Sequence, residues 1–227
     1  MHAIRFVRAL PLLASMLVLP TAFAASTADL ERVLTHDGLQ KASVKGVDQV
    51  YVRPGASLAG YSRVKLDPVE VAFRKDWDPK RAGSNIKLSA EERDSIRQGV
   101  AKIVYDEFVS ELQSKSTYMV VNEAGADVLR VRVSIVNLYV TAPDALSSGP
   151  TKTYTISPLE MTLFAELFDS ETGEVIARVV DRREARATGM ATLTTKSVNA
   201  AEARAIASAW ARILRNGLDK AHGIGKK

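Results

Sequence analysis

Two helical stripes bracket a run of alternating segments, and that order constrains the fold more than any other feature of the chain. Ser89 followed by Glu92 has the pattern of a capping box, in which each side chain satisfies a backbone amide of the other residue. Behind it Ile96, Val100, Ile103, Val104, Phe108 and Leu112 lie on one face of a 3.6-residue repeat, which predicts a helix over about 90–114. Near the end of the chain Asn199 with Glu202 is a weaker capping pair. Ile206, Trp210, Ile213, Leu214 and Leu218 form a second stripe, and Gly223 is placed to end it.

Between the stripes the period changes to two. Tyr118 to Val121 is short and apolar. Over Val128 to Val140, Leu129, Val131, Val133 and Ile135 face away from Arg130, Arg132 and Ser134. Met161, Leu163, Ala165 and Leu167 alternate in the same way, and Val175, Ala177 and Val179 answer them. The segment Asp169-Ser170-Glu171-Thr172-Gly173 joins these last two as a hairpin with its Gly in the left-handed position. Ahead of the first helix, Val64 and Leu66 are one residue out of phase with Val69, Val71 and Phe73. A strand bulged at Asp67-Pro68 explains both the slip and the proline.

The predicted order is strand, helix, four strands, helix. It implies an α+β two-layer sandwich: a mainly antiparallel five-stranded sheet with two long amphipathic helices on one face and a wetter opposite face. Residues 61–223 form this single α+β domain. Residues 25–60, interrupted by Gly38, Gly46, Pro54, Gly55 and Gly60, read as an irregular lead-in, and 224–227 as a basic tail.

Residues 1–24 read as a secretory signal peptide. Arg5 and Arg8 are its positive region, Ala9 to Leu19 its apolar stretch, and Ala22-Phe23-Ala24 its small-residue cleavage site, with the cut between Ala24 and Ala25. Eleven residues span only about 17 Å as a helix, short of a bilayer core of about 30 Å. The expected location is therefore the periplasm or beyond, without stable membrane insertion. Loss of the two leader arginines lowers the net charge from +5 to +3, too small and scattered an excess to imply nucleic acid as a partner.

The chemistry-bearing residues are sparse. The chain has no cysteine, and beyond the leader only His36 and His222 remain, so neither a cofactor nor a metal site is expected. Ser62 to Lys65 and Ser84 to Lys87 match SxxK, but on a strand and in a loop rather than at a helix start, and no SDN or KTG partner accompanies them. Gly55 to Gly60 has the glycine spacing of a phosphate loop without its lysine. Asp76/Asp78 sit among basic residues and Glu91/Glu92 at a helix start, where acids belong. No catalytic residues follow.

One loop stands out. Arg74, Lys75, Trp77, Lys80 and Arg81 put one of two tryptophans in a highly charged segment. Either Trp77 folds back on the sheet edge as a lid, or the loop is a contact surface for another envelope protein or an anionic polymer.

The segments Tyr51-Val52-Arg53-Pro54-Gly55 and Tyr61 to Val71, continued through Phe73, Trp77, the helix at 90–114 and Gly125-Ala126-Asp127-Val128-Leu129, resemble a bacterial cell-envelope family of unknown function. Many of its members look like lipoproteins with a cysteine directly after the leader. Ala25 stands there in this chain, so no lipid anchor is expected. The resemblance implies fold and compartment and supplies no site residues. The expectation is a non-enzymatic interaction module that binds another envelope protein. The alternative is a protein that binds a small molecule or glycan in a pocket between helices and sheet.

Overall fold

The computed structural model describes residues 32–78, 87–114, 118–140, 154–155, 159–185, 192–193 and 196–224. After a 3-10 turn at His36–Gly38 come β1 (Gln40–Ala42), β2 (Gln49–Val52), β3 (Arg63–Leu66) and β4 (Glu70–Phe73). Helix α1 (Ala90–Gln113) follows, then β5 (Met119–Val120), β6 (Val128–Val140), β7 (Tyr154–Thr155), β8 (Leu159–Asp169), β9 (Val175–Glu184), β10 (Thr192–Leu193) and helix α2 (Lys196–Ala221). The fold is α+β, as the sequence implies. The leader with Ala24 and Ala25, and Lys80 and Arg81 of the charged loop, lie outside the described residues.

The sheet differs from the expected one. It has eight strands and is mixed, in the order β1-β2-β9-β8-β6-β3-β5, with β4 also beside β6. The lead-in supplies two of them: β1 pairs with β2, and β2 with β9, both antiparallel. The other departure is direction, since β3 and β4 run parallel to β6, and β5 runs parallel to β3. The physical reason is the helix. A chain that leaves β4 and returns through α1 re-enters the sheet at the end where it began, which sets the next strands parallel. β7 and β10 form a separate antiparallel pair.

The phase slip at Asp67-Pro68 is real. Leu66 is opposite Val131 and Glu70 opposite Ser134, so four steps on the edge face three on β6. A second slip lies inside β6, where Val136 pairs with Thr162 but Tyr139 with Glu160. Asn137, with φ 56°, carries the extra residue; asparagine is among the few types that enter the left-handed region readily. The bulge changes the parity of the inward positions from Val133 and Ile135 to Leu138 and Val140, all of them buried.

Both helices lie on one face of this sheet. Val100, Val104, Phe108 and Leu112 of α1 meet Leu129, Val131, Ile135, Met161 and Leu163 of the strands, with Ala203, Ile206, Ala207, Trp210 and Leu218 of α2. Each fully buried large side chain contributes roughly 1.5–3 kcal/mol, an upper range because the unfolded chain is already partly collapsed. A smaller cluster of Leu34, Leu39, Tyr51, Phe168 and Val175 sits apart from this core.

Local signals set the element ends. Ser89 and Glu92 close the capping box in both directions. Gly173 is left-handed at φ 72°, and Asp169 accepts hydrogen bonds from the Glu171 and Thr172 amides. Gly223 is left-handed at φ 71°, with Ile224 N–H reaching the Asp219 carbonyl at 2.8 Å, a Schellman end for α2. The capping pair Asn199/Glu202 is not the start of that helix, which begins three residues earlier at Lys196.

Several clamps titrate, so stability should depend on pH at both extremes. The Arg63 guanidinium and the Ser62 hydroxyl hold the Asp127 carboxyl well below the usual carboxylate range. The Thr172 amide lowers Asp169, and Arg178 lowers Asp37. As pH falls the unfolded chain takes up these protons first. The stabilisation is complete above about pH 4 and is lost as pH drops through the lower folded values. Burial and a hydrogen bond to Asp169 push Tyr61 up to about 12, and burial with Asp219 raises Tyr118. Here the folded chain keeps protons the unfolded chain loses, so stability declines as pH rises from about 10 towards the folded values. Urea melts between pH 3 and pH 11 check both limbs, and Tyr61→Phe should flatten the alkaline one.

Candidate functional site

Helices α1 and α2 run side by side in the same direction. Near their C-terminal ends Arg215 bonds Glu111 at 2.5 Å and the Ser114 hydroxyl at 2.6 Å. Near their N-terminal ends they do not close on each other, and a cleft of about 450 Å³ remains. Ile96, Val100 and Ile103 of α1 line one wall, and Ala200 and Ala203 of α2 the other. Its floor is Val140 and Leu159, neighbours across β6 and β8. The floor depends on Asn137: without the bulged residue, Val140 would point to the opposite face.

Among the described residues the lining is mainly apolar, with Glu92, Ser95, Ser197 and Asn199 as its polar members, and Glu92 is the ionisable one. That carboxylate accepts the Ser89 amide at 2.7 Å. Gly99 contributes no side chain, and a Cβ built there meets nothing within 4 Å. The volume falls within the range of small-molecule pockets, roughly 300–1,000 Å³. The α1 stripe was legible in the sequence, but its periodicity did not show that Ile96 and Ile103 stay half-buried beside an unfilled space.

Two residues of the charged loop, Arg74 and Trp77, are turned inward. Trp77 stacks on Phe73 with ring centroids 3.9 Å apart, and its indole N–H donates to the Val140 carbonyl at 3.0 Å. Arg74 pairs with Asp76 and Glu160 and lies over the Tyr139 ring at 4.0 Å. Lys75 is exposed.

The remaining candidates are engaged in ion pairs or hydrogen bonds. Arg130 and Arg132 hold Asp67, and Arg63 forks onto Asp127, whose other contact is the Ser62 hydroxyl at 2.5 Å. His36 pairs with Asp37 and the His222 ring lies 2.9 Å from the Leu218 carbonyl, far apart in the sequence. Among the described residues no group of three or more His, Asp or Glu side chains is placed to hold a metal ion, and no helix is long and apolar enough to cross a membrane. A shallower depression of about 590 Å³ lies over Asp67-Pro68, bordered by Lys65, Lys102 and Tyr105. There Lys102 pairs with Asp106.

Comparison with known families finds a match over residues 30–214 to the one described as "Protein of unknown function (DUF3313)". The chain belongs to the DUF3313 family. The matched stretch of this DUF3313 protein contains every cleft residue named above and stops short of Gly223. No curated protein matches the sequence.

Among solved structures, the PelC dodecamer from Paraburkholderia phytofirmans is similar over 71% of this chain and 98% of that chain, at 10% identity and a TM-score of 0.35. Protein XCC0632 from Xanthomonas campestris covers 76% and 91%, at 10% identity and 0.39. A putative neuraminyllactose-binding hemagglutinin homolog from Helicobacter pylori covers 80% and 91%, at 15% identity and 0.36.

Proposed function

We propose that this DUF3313 protein is a non-enzymatic binding protein of the cell envelope that holds an apolar small molecule in the cleft between α1 and α2. The observation that carries the reading is the cleft itself: about 450 Å³ of space walled by Ile96, Val100, Ile103 and Ala203. A close-packed interior leaves few voids larger than a water molecule. The lining favours an apolar molecule over a glycan, whose hydroxyls need a denser set of hydrogen-bonding partners. Protein contact through the Trp77 loop is the weaker reading, because Trp77 and Arg74 already have partners within the chain. The envelope location rests on the leader at 1–24, with its arginines, apolar stretch and Ala24/Ala25 cleavage site.

Titration with the fluorescent apolar dye N-phenylnaphthylamine tests the reading. Saturable binding by the purified protein is expected. Ile96→Asp, a half-buried wall position, should weaken binding by about tenfold or more by placing a charge in the apolar wall. It should leave cooperative unfolding intact. Absence of saturable binding, or an unchanged affinity in Ile96→Asp, overturns the assignment.

A further inference from the structure

We propose that the molecule held in the cleft is a cationic amphiphile, with its aliphatic part over the buried floor and an amine head beside Glu92. This inference rests on the cleft being a ligand site and names the class of ligand it takes. Because α1 and α2 run in the same direction, the first turns of both helices lie at one end of the cleft. The polar lining is confined to that end: Glu92 and Ser95 of α1, Ser197 and Asn199 of α2. From Ile96 and Ala200 onward, every lining residue of either helix among those described is apolar or glycine. Exposure follows the same gradient. Ser95 and Ser197 are exposed and Glu92 and Asn199 half-buried, whereas Val100, Ala203 and the floor at Val140 and Leu159 are buried. A wholly apolar molecule laid along the cleft would strip water from the polar side chains without replacing its hydrogen bonds. An amphiphile keeps its head at the wet end and buries only its tail.

The sign of the head follows from the charges at that end. Glu92 is the ionisable member of the lining among the described residues, and no cationic side chain accompanies it there. Nearby cations are engaged by acids of their own, Lys87 by Asp78 at 2.9 Å and Arg97 by Asp94. An anionic head would therefore meet a like charge with no cation to offset it, while an ammonium supplies both the opposite charge and three N–H donors. The Glu92 carboxylate accepts the Ser89 amide at 2.7 Å. A carboxylate offers about four acceptor directions, so capping the helix and meeting a ligand are compatible. The hydroxyls of Ser95 and Ser197 are further acceptors at the same end.

The test compares decylamine, decanol and decanoate at pH 7 as competitors of N-phenylnaphthylamine, in the full-length chain after leader removal and in Glu92→Gln. The three share one tail, so their order reports the head alone. Decylamine should displace the dye at about one-fifth of the decanol concentration, and decanoate should need more than either. Glu92→Gln removes the charge but keeps the capping box, since glutamine serves at that position as well as glutamate. It should bring decylamine level with decanol and leave the decanol affinity and the melting temperature unchanged. If the unmodified protein binds no apolar probe, the ligand-site reading fails and this inference with it. If the dye binds and decanol displaces it, but decylamine is no better than decanol or keeps its advantage in Glu92→Gln, the ligand site stands and the cationic head is overturned.

Discussion

Asp181→Ala is expected to cost about 3–5 kcal/mol of stability, the range for removing one partner of a buried, hydrogen-bonded charge. Asp181 is 3% exposed and faces the helices from β9. Its carboxylate accepts the Trp210 indole N–H at 2.6 Å, the Arg183 guanidinium at 2.7 Å and the Asp48 amide at 2.9 Å. One side chain thus ties the sheet to α2 and to the turn before β2. Alanine would leave the indole N–H of Trp210, itself 2% exposed, with no acceptor, and Arg183 without its carboxylate. At roughly 2–4 °C per kcal/mol for a chain of this size, the melting temperature should fall on the order of 10 °C. Asp181→Asn keeps the shape and one acceptor oxygen and should lose less. Trp210→Phe removes a single donor and should cost about 1–3 kcal/mol. Combined with Asp181→Ala it should lose less than the two costs added, because the orphaned donor is gone. Urea denaturation of the unmodified chain and the four variants checks this, and equal stability of Asp181→Ala and the unmodified chain would refute it.

What the sequence could disclose about these features depended on how local each one is. The capping box at Ser89/Glu92, the left-handed Gly173 and the Schellman glycine Gly223 are decided within six residues, so their residue types announce them. The slip at Asp67-Pro68 was legible because it changes the parity of an otherwise regular alternation. The slip at Asn137 changes parity too, yet Val136 and Tyr139 are apolar enough to hide it among Leu138 and Val140. Parallel pairing of β3 with β6 is a long-range property that period-two patterns do not encode. β2 is only four residues between Asp48 and Arg53-Pro54, too short for periodicity to separate from loop.

The candidate site was the hardest feature to read. The α1 stripe marks Ile96 and Ile103 as core-facing in the same way as Val100 and Val104, and only the three-dimensional arrangement shows that three of the four border the cleft. The alanines of α2 carry no strong signal, since alanine suits any helix position. Trp77 drew notice because tryptophan in a charged loop is unusual, while its acceptor, the Val140 carbonyl, lies 63 residues away.

Arg178→Ala should release the N-terminal turn from the sheet and cost about 3 kcal/mol or more. Arg178, 7% exposed, points from β9 to the face opposite the helices. Its Nε donates to Glu166 at 2.9 Å and its Nη2 to Asp37 at 2.7 Å, while Nη1 reaches the carbonyls of Val33 and His36, each at 2.9 Å. Four acceptors in one plane suit the guanidinium fork and no other side chain. The segment it holds includes Asp37 at φ 70°, a left-handed conformation that aspartate, like asparagine, enters more readily than most residues, and Leu34, which is fully buried. With the fork removed, two carbonyls and two carboxylates lose a donor and the left-handed turn loses its restraint. Arg178→Lys should recover only part of the loss, because an ammonium cannot meet all four acceptors. Hydrogen exchange distinguishes this local release from general weakening. Amides of residues 34–42 should exchange much faster in Arg178→Ala, while those of Val104 and Phe108 in α1 should slow or quicken only with the global stability. Protection at 34–42 that stays in step with α1 would show that the turn is held by Leu34 packing alone.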